Sequence, residues 1–502
     1  MATASINEVT GPEMDRLSDP LLRTPTSLSS SYSEDQAVYR VYKRRWYMLS
    51  VLCVLNIANA MIWLTFSPIA DKAGEYYHVD YNKINMLSLI FMIVSIPLGL
   101  CASWLLDTFG LRASIIFGSW LNLFGAAVRV LSTFDFIPHN VKYPLVLTGQ
   151  GIAACSQPFI LFSPTKLAAT WFQDNQRATA NMIASISNPL GILVANVLSP
   201  FLTESAKDLQ FTLCIYCIPA GVGMLMATCG FCSSHPPTPP SASAADVHEP
   251  FFTGLKKIIQ NKAYLILAFS FGGGIALFST LTTLFQQILC PQGYNDDEIG
   301  IYGALMIFSG IIGAGFAGAV VDKTKKFMET AKISYGLAAV SCSFLAVISQ
   351  QPNQTILTGV ASGLVGFFSF ALLPVCLELG VECTYPVAEG TSAGLLFTSG
   401  QIQGIAYVYI MQGLGRHLTP SQLETQQCTN SSLSVDIQPK DMTISVLVFA
   451  GMASFAAAIF IIFFYTDYKR LKAEECEAAE RILNFSSSTP SFPRRTIQHV
   501  ST

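Results

Sequence analysis

Twelve long apolar stretches constrain this chain more than any other feature of its sequence. A helix that crosses a bilayer needs about 20 mainly apolar residues. The runs are continuous, whereas the strands of a membrane β-barrel alternate in hydropathy over about 10 residues. The sequence therefore predicts an all-α membrane protein with twelve transmembrane helices. The predicted spans are 46–70, 84–106, 113–131, 144–164, 178–203, 209–231, 263–289, 299–320, 331–349, 355–379, 391–413 and 443–466.

Composition excludes several other classes of protein. Charged residues make up only 12% of the chain, about half the usual share in soluble proteins, and mean hydropathy is +0.46. Intrinsic disorder over most of the chain is excluded because it requires low hydrophobicity and high charge. A net charge of −3 argues against binding to nucleic acid. We expect a monomer whose partners are the lipid bilayer and a small-molecule substrate.

The distribution of Lys and Arg predicts the orientation in the membrane. Most of the 29 basic residues lie in the two tails and in the loops on the same side as the tails, so both termini are predicted to be cytoplasmic. Two glycosylation sequons, at Asn353 and Asn430, fall in loops predicted to be outside. We expect the plasma membrane. An endosomal or lysosomal membrane stays open, because Leu21-Leu22 resembles a weak sorting signal.

Two of the 13 cysteines fall in predicted outer loops. Cys290 and Cys428 follow spans seven and eleven, where a disulfide can persist. The alternative is two unrelated free thiols. Most other cysteines lie within spans, where they are typical small apolar packing residues.

The predicted spans divide into two sets of six. A stretch rich in Pro, Ser and Ala near the middle of the chain has the chemistry of a linker. The predicted regions are a disordered N-terminal tail 1–45, a first six-helix half 46–231, a cytoplasmic linker 232–262, a second half 263–466 and a C-terminal tail 467–502.

An internal repeat supports this division. After span two and again after span eight, a small residue is followed four positions later by Asp and then by cations. The first copy is Ser103-x-x-x-Asp107 with Arg112, and the second is Gly318-x-x-x-Asp322-Lys323. The small residue lets two helices approach closely. We expect the charged residues to gate the inner face.

Acidic residues cluster at the cytoplasmic end of span ten. Glu378 and Glu382 are four residues apart and share a helix face. Glu389 is predicted to start span eleven, where the helix dipole favours an acid. We interpret the three as an inner gate that pairs with Lys323, Lys325 or Arg112. The alternative is a solvated loop that caps two helices.

Amide and aromatic side chains occur at depth in several spans. Amides in a bilayer need partners, so they either join helices or face a wet cavity. No Asp or Glu lies near the middle of a predicted span, and we find no metal-ligand spacing or nucleotide-binding loop. The sequence predicts an uncharged central cavity, no cofactor and no enzymatic activity. The residues at depth are Asn56, Asn59, Trp63, Gln150, Gln157, Asn181, Asn188, Phe278, Ser279, Gln286, Gln401 and Gln403.

Several motifs resemble those of a known family. The two loop copies are similar, in degenerate form, to the loop motif of the major facilitator superfamily. Trp63, residues 104–112, Asn188-Pro-Leu-Gly191 and residues 381–390 resemble solute carrier family 49, the feline leukaemia virus subgroup C receptor-related transporters. The resemblance covers about residues 40–470. Residues 195–200, 236–241 and 261–264 resemble one orphan branch of that family.

The resemblance implies a fold of two six-helix halves and a transporter of choline or ethanolamine. Pyridoxine and haem are alternative solutes in the same family. In its choline-moving members an aromatic cage with amides holds the cation, and Trp63, Gln157 and Gln401 match cage positions. The tyrosine of span seven is replaced by Ser279, beside Phe278, so the resemblance places the choline cage in doubt. A receptor or scaffold of transporter shape, without flux, is the alternative of another class.

Overall fold

A computed structural model of the chain describes residues 40–231, 233–238, 251–385, 387, 389–420, 422, 439–469 and 472. These residues form an all-helical protein with one pair of two-residue strands. The α-helices are α1 (Arg44–Leu64), α2 (Ala70–Tyr77), α3 (Tyr81–Thr108), α4 (Gly110–Leu131), α5 (His139–Leu161), α6 (Ser163–Trp171), α7 (Asp174–Leu202), α8 (Leu209–Gly230), α9 (Phe251–Ile259), α10 (Lys262–Leu289), α11 (Asp296–Thr324), α12 (Phe327–Ile348), α13 (Thr355–Thr384), α14 (Glu389–Leu414) and α15 (Thr443–Phe463).

Eleven helices of the described chain are long and apolar enough to cross a membrane. Helices suit this solvent because they satisfy every interior backbone hydrogen bond within one segment. A twelfth long helix, α14, has 26 residues and does not meet the same standard of hydropathy. Its amides Gln401 and Gln403 and its small polar residues lower its apolar character, and it packs against α10 and α3. The predicted all-helical class is confirmed, whereas the count of twelve spans stays a prediction.

Three short helices lie between the long ones and were not predicted. Helix α2 follows α1, and α6 continues the direction of the chain after α5. Helix α9 lies within 232–262, the segment predicted to be a linker. The strands β1 (Arg416–His417) and β2 (Lys440–Asp441) pair antiparallel, with Arg416 opposite Asp441.

The long helices alternate in direction, so each connection lies on one of two sides. We call the side where α1 begins and α15 ends the terminal side, and the other the far side. Helices α1–α8 pack mainly against one another and form a first group, and α10–α15 form a second group. The principal contacts between the groups are α7 with α11 and α3 with α14. Glycine permits close packing inside the second group: a Cβ at Gly313 of α11 would overlap the carbonyl oxygen of Phe367 on α13.

Candidate functional site

One cavity of about 230 Å³ lies between the two helix groups. Its lining comes from α1, α3, α5, α6 and α7 of the first group and from α10, α12, α13, α14 and α15 of the second. It extends from Trp63, next to the far-side end of α1, to Thr165 and Leu377 near the terminal-side ends of their helices. The cavity therefore extends along the helices toward the terminal side.

All five side chains predicted to bind the solute line this cavity: Trp63, Gln157, Phe278, Ser279 and Gln401. They come from four different helices, α1, α5, α10 and α14, and the helical packing brings them together. Whether they bind a solute stays a prediction.

Trp63 supplies an aromatic wall from the first group. Its side chain is only 7% exposed, because α1 is packed against α5, α7 and α8. The indole Nε1–H is buried and has no hydrogen-bond partner among the described residues. A buried Trp N–H usually finds a partner, so this donor is available to an acceptor atom of a bound molecule.

Amide side chains form much of the polar wall. Ser95 of α3 donates a hydrogen bond of 3.0 Å to Oε1 of Gln157 on α5, which fixes the amide at the cavity surface. Asn181 and Asn188 of α7 and Gln401 of α14 also line the cavity. None of the described lining residues carries a formal charge.

The second group also supplies two aromatic side chains that the sequence did not single out, Phe370 and Tyr335. Phe370 of α13 lies edge to face with the predicted Phe278, with ring centroids 4.9 Å apart. Tyr335 of α12 also lines the cavity and donates a hydrogen bond of 2.5 Å to the carbonyl oxygen of Ser270. Aromatic residues in apolar spans are mostly packing residues, so only the fold could identify these two. Ser279, where the resemblance leads one to expect tyrosine, is 7% exposed.

Other amides at depth join helices and do not line the cavity. Asn59 of α1 donates to Asn122 of α4 and to Ser156 of α5, both at 2.9 Å. Gln150 of α5 donates to the carbonyl oxygen of Ile62 at 3.1 Å. Gln403 of α14 donates to the carbonyl oxygen of Phe269 on α10 at 3.1 Å. These three amides therefore link helices, which is the alternative role of an amide within the membrane.

The predicted gating residues all lie at the terminal side. Arg112 and Lys323 are exposed, as is Glu378, whereas Glu382 is 2% exposed. Glu382 interacts electrostatically with Tyr468, whose pKa is raised by burial. Asp107, Asp322 and Glu389 lie in α3, α11 and α14, and their side chains are outside the described part of the structure. The described contacts do not test whether these charges form a gate.

Two further predictions concern the far side. Cys290 is disulfide-bonded, whereas its predicted partner Cys428 lies outside the described residues. Asn353 is exposed at the tip of a loop, and Asn430 lies outside the described residues. Glycosylation at both asparagines stays a prediction.

Comparison with known proteins identifies the family. The sequence pattern of the Major Facilitator Superfamily matches residues 52–407. Solute carrier family 49 member A3 of Xenopus tropicalis is 43% identical over 464 residues, which are 92% of this chain and 94% of that protein. Its counterpart in Danio rerio is also 43% identical, over 92% of this chain and 96% of that protein.

A more distant relative has a named substrate, and solved structures share the fold. A choline/ethanolamine transporter of Homo sapiens is 30% identical over 398 residues, 76% of this chain and 74% of that protein. A D-xylose-proton symporter is similar in structure with a TM-score of 0.61 at 13% sequence identity, covering 85% of this chain and 98% of that one. A bacterial homologue of the lysosomal transporter Spinster gives 0.60 at 13% identity, covering 84% and 97%. The structural likeness shows the fold alone.

Proposed function

We propose that this chain, which belongs to the major facilitator superfamily and within it to solute carrier family 49, moves a small amine or related polar metabolite by alternating access. The chain is a multi-pass membrane transporter by its family and fold, and the solute is the proposed part. The observation that carries this proposal is the convergence of Trp63, Gln157, Phe278 and Gln401 on one uncharged cavity between the two helix groups.

The chemistry of the cavity favours an amine over an anion. Aromatic faces attract a cation without a carboxylate, and the attraction is greatest where water is excluded. Trp63 and Phe278 offer such faces from opposite groups. The free indole N–H of Trp63 and the amides of Gln157 and Gln401 can bind a hydroxyl oxygen on the same molecule. Choline and ethanolamine combine these two features, and a relative that is 30% identical is named a choline/ethanolamine transporter.

The volume of the cavity favours a small solute. Pockets for drug-sized ligands measure about 300–1,000 Å³, and this cavity is about 230 Å³. Haem exceeds that size and needs an axial ligand such as His, Cys or Met. The described lining contains no His or Met, and its cysteines Cys342 and Cys376 are buried. Pyridoxine is smaller than haem and is therefore one of the solutes in the uptake experiment below.

In the proposed cycle two six-helix halves rock about the cavity, with twelve spans and both termini in the cytoplasm. The terminal side is then cytoplasmic, and the far side is extracellular at the plasma membrane. Closure of the terminal side would bring Arg112 and Lys323, with Asp107 and Asp322, toward the acidic residues of α13 and α14. Those acids are Glu378, Glu382 and Glu389.

Uptake in cells tests this function. We expect cells that express the protein to take up labelled choline or ethanolamine faster than control cells, and Trp63→Ala to abolish the gain. Trp104→Ala is the matched control, because Trp104 is 46% exposed on α3 and is not among the cavity residues. Surface delivery of each variant is checked by biotinylation of intact cells with an impermeant reagent, and loss of a glycan in Asn430→Gln tests the predicted glycosylation separately.

The result also separates the alternatives. Uptake of pyridoxine, without uptake of choline or ethanolamine, would identify a neutral ring compound and not an amine as the solute. No uptake of any of the three solutes, with normal surface delivery, would contradict the proposal and favour a receptor or scaffold without flux.

A further inference from the structure

A polar stripe runs along α10 from the cavity to the far side. It consists of Ser279, Thr282, Thr283, Gln286 and Gln287. Residues three and four apart lie on the same face of a helix, so these five side chains form one line about two turns long. Ser279 lines the cavity, and the rest of the stripe continues beyond it toward the far-side end of the helix.

The first contact above the cavity joins α10 to the turn that follows α1. The hydroxyl of Ser67 donates to the carbonyl oxygens of Thr282 and Thr283, at 2.5 Å and 2.9 Å. Ser67 is 4% exposed. It follows Trp63 by four residues, and Thr283 follows Ser279 by four. The turn after α1 therefore contacts α10 about one helical turn beyond the two residues that line the cavity.

The second contact is a pair of amides. Asn85 of α3 donates to Gln287 at 3.0 Å, and Gln287 donates back to Asn85 at 2.6 Å. Asn85 is 2% exposed. Two reciprocal hydrogen bonds between side chains require both amides to hold one orientation, so this pair fixes the distance between the helix groups.

The third and outermost contact is an ion pair. Lys72 of α2 lies 3.0 Å from a carboxylate oxygen of Asp296, the first residue of α11. The two side chains are only 17% and 14% exposed. Gln286 of the stripe donates to the other carboxylate oxygen at 3.3 Å. A bond to a charged partner in a partly dry place is stronger than one on an open surface.

We propose that these three contacts form a far-side gate, which seals the cavity in this conformation and opens when the carrier turns to the far side. The inference rests on the proposed transport function. Each contact joins the first group to the second, and all use polar side chains that water can satisfy after separation. A gate of this kind can open and close repeatedly, because the groups that pair across it can bond to water when it opens.

Helix α2 presents the cation of the gate from the first group. It carries Lys72 and is held to its own group by Tyr77, whose hydroxyl lies 2.9 Å from that of Ser132. Burial raises the pKa of Tyr77, so its hydroxyl remains neutral. The short helix that sequence patterns did not predict thus positions the cation of the gate.

Two cysteines in the cavity report directly on this gate. Cys342 and Cys376 line the cavity and are free thiols. A charged, membrane-impermeant methanethiosulfonate reagent added to intact cells can reach them only through an open far side. Labelling of each thiol is followed by mass spectrometry, first in intact and then in permeabilised cells. The assay needs no solute, so it can fail or succeed independently of the uptake experiment.

The gate predicts a defined pattern for charge reversal. Lys72→Asp and Asp296→Lys should each raise the labelling rate in intact cells by about tenfold, a ratio equivalent to 1.4 kcal/mol. The combined Lys72→Asp and Asp296→Lys variant should return to the rate of the unchanged protein. Lys83→Ala is the control, because Lys83 is an exposed far-side lysine of α3 outside the gate. Equal labelling in all variants would overturn the proposal, and failure of the double variant to recover would overturn the ion pair.

A second measurement protects the test against misfolded variants. In Asn85→Cys with Gln287→Cys, a bifunctional methanethiosulfonate reagent should join the two thiols and reduce later labelling of Cys342 in intact cells below that of the unchanged protein treated alike. Reduction should restore it. If the two cysteines do not crosslink in protein that reaches the surface, the helices are not neighbours at the far side and the gate is refuted.

Discussion

The two sides of the space between the helix groups are built differently. At the far side, direct contacts link the groups: Ser67 with α10, Asn85 with Gln287, and Lys72 with Asp296. At the terminal side, the cavity extends toward the helix ends, and the cations Arg112 and Lys323 are exposed. The described hydrogen bonds and ion pairs between the groups therefore lie at the far side, whereas α3 and α14 also pack together toward the terminal side. Far-side residues should govern its stability, and terminal-side charges should matter for the other state of the cycle.

The largest loss of stability is expected from a bulky side chain placed where α7 and α11 cross at the far side. A Cβ at Gly300 would overlap the carbonyl oxygen of Asn196, and backbone atoms cannot move aside as a flexible side chain can. We expect Gly300→Leu to destabilise this conformation by about 1–3 kcal/mol, as overpacking usually does, and to lower the melting temperature in detergent.

Gly315→Leu is the matched control for Gly300→Leu. Gly315 lies on the same helix, and no atom lies within 4 Å of a Cβ added there. The melting temperature of this variant should therefore equal that of the unchanged protein. If both variants melt alike, the α7–α11 contact does not hold the groups together.

A smaller loss should follow removal of a buried cation near the far side. Arg129 is 1% exposed, donates to Thr65 at 2.7 Å and lies 5.0 Å from the ring centre of Phe66. It therefore supports the turn that carries Ser67. We expect Arg129→Met to cost about 2 kcal/mol, as hydrogen bonds to charged groups do. The readouts are the melting temperature and cysteine labelling in intact cells. A more stable variant would mean that the buried charge opposes folding.

The site itself offers a change in specificity. Ser279 lies where the cavity meets the polar stripe of α10. A tyrosine there would add an aromatic wall, worth about 1 kcal/mol to a desolvated cation, or about a fivefold gain in apparent affinity for choline. Ser279→Leu adds bulk without the aromatic face and should give no gain. Competition of choline against ethanolamine uptake measures both variants.

The smallest effect is expected at the terminal side. Lys323→Ala removes an exposed cation, and surface changes usually alter stability by less than about 0.5 kcal/mol. The melting temperature should therefore not change, in contrast to Gly300→Leu. Transport should slow if the lysine pairs only when the terminal side closes. A clear loss of thermal stability would show that the terminal side already holds this conformation.

The sequence was a good guide to the fold class and to five of the side chains that line the cavity. Hydropathy and helix length predict the membrane helices, because the hydrocarbon core of the bilayer requires both apolar side chains and a minimum length. It was weaker for α14, whose Gln401 and Gln403 reduce its hydropathy. Only packing could separate amides such as Gln157, which line the cavity, from Asn59, which joins three helices.

The far-side contacts could not be predicted at all. Ser67 and Thr282 are separated by 215 positions, and a serine in a loop has no pattern that names its partner. Lys72 reads from sequence as an ordinary outer-loop cation. Its role depends on α2, a helix of eight residues that is too short to show in an apolar pattern.

Among the described residues the lining of the cavity carries no formal charge, and this has an electrical consequence. A carrier without charge in its central site returns empty with no work against the membrane voltage, so the cargo alone sets the charge that crosses. One elementary charge gains about 2.3 kcal/mol per 100 mV. A cationic amine would thus accumulate on the negative side by about fiftyfold at 100 mV without any coupling ion, and a neutral cargo would only equalise its concentration.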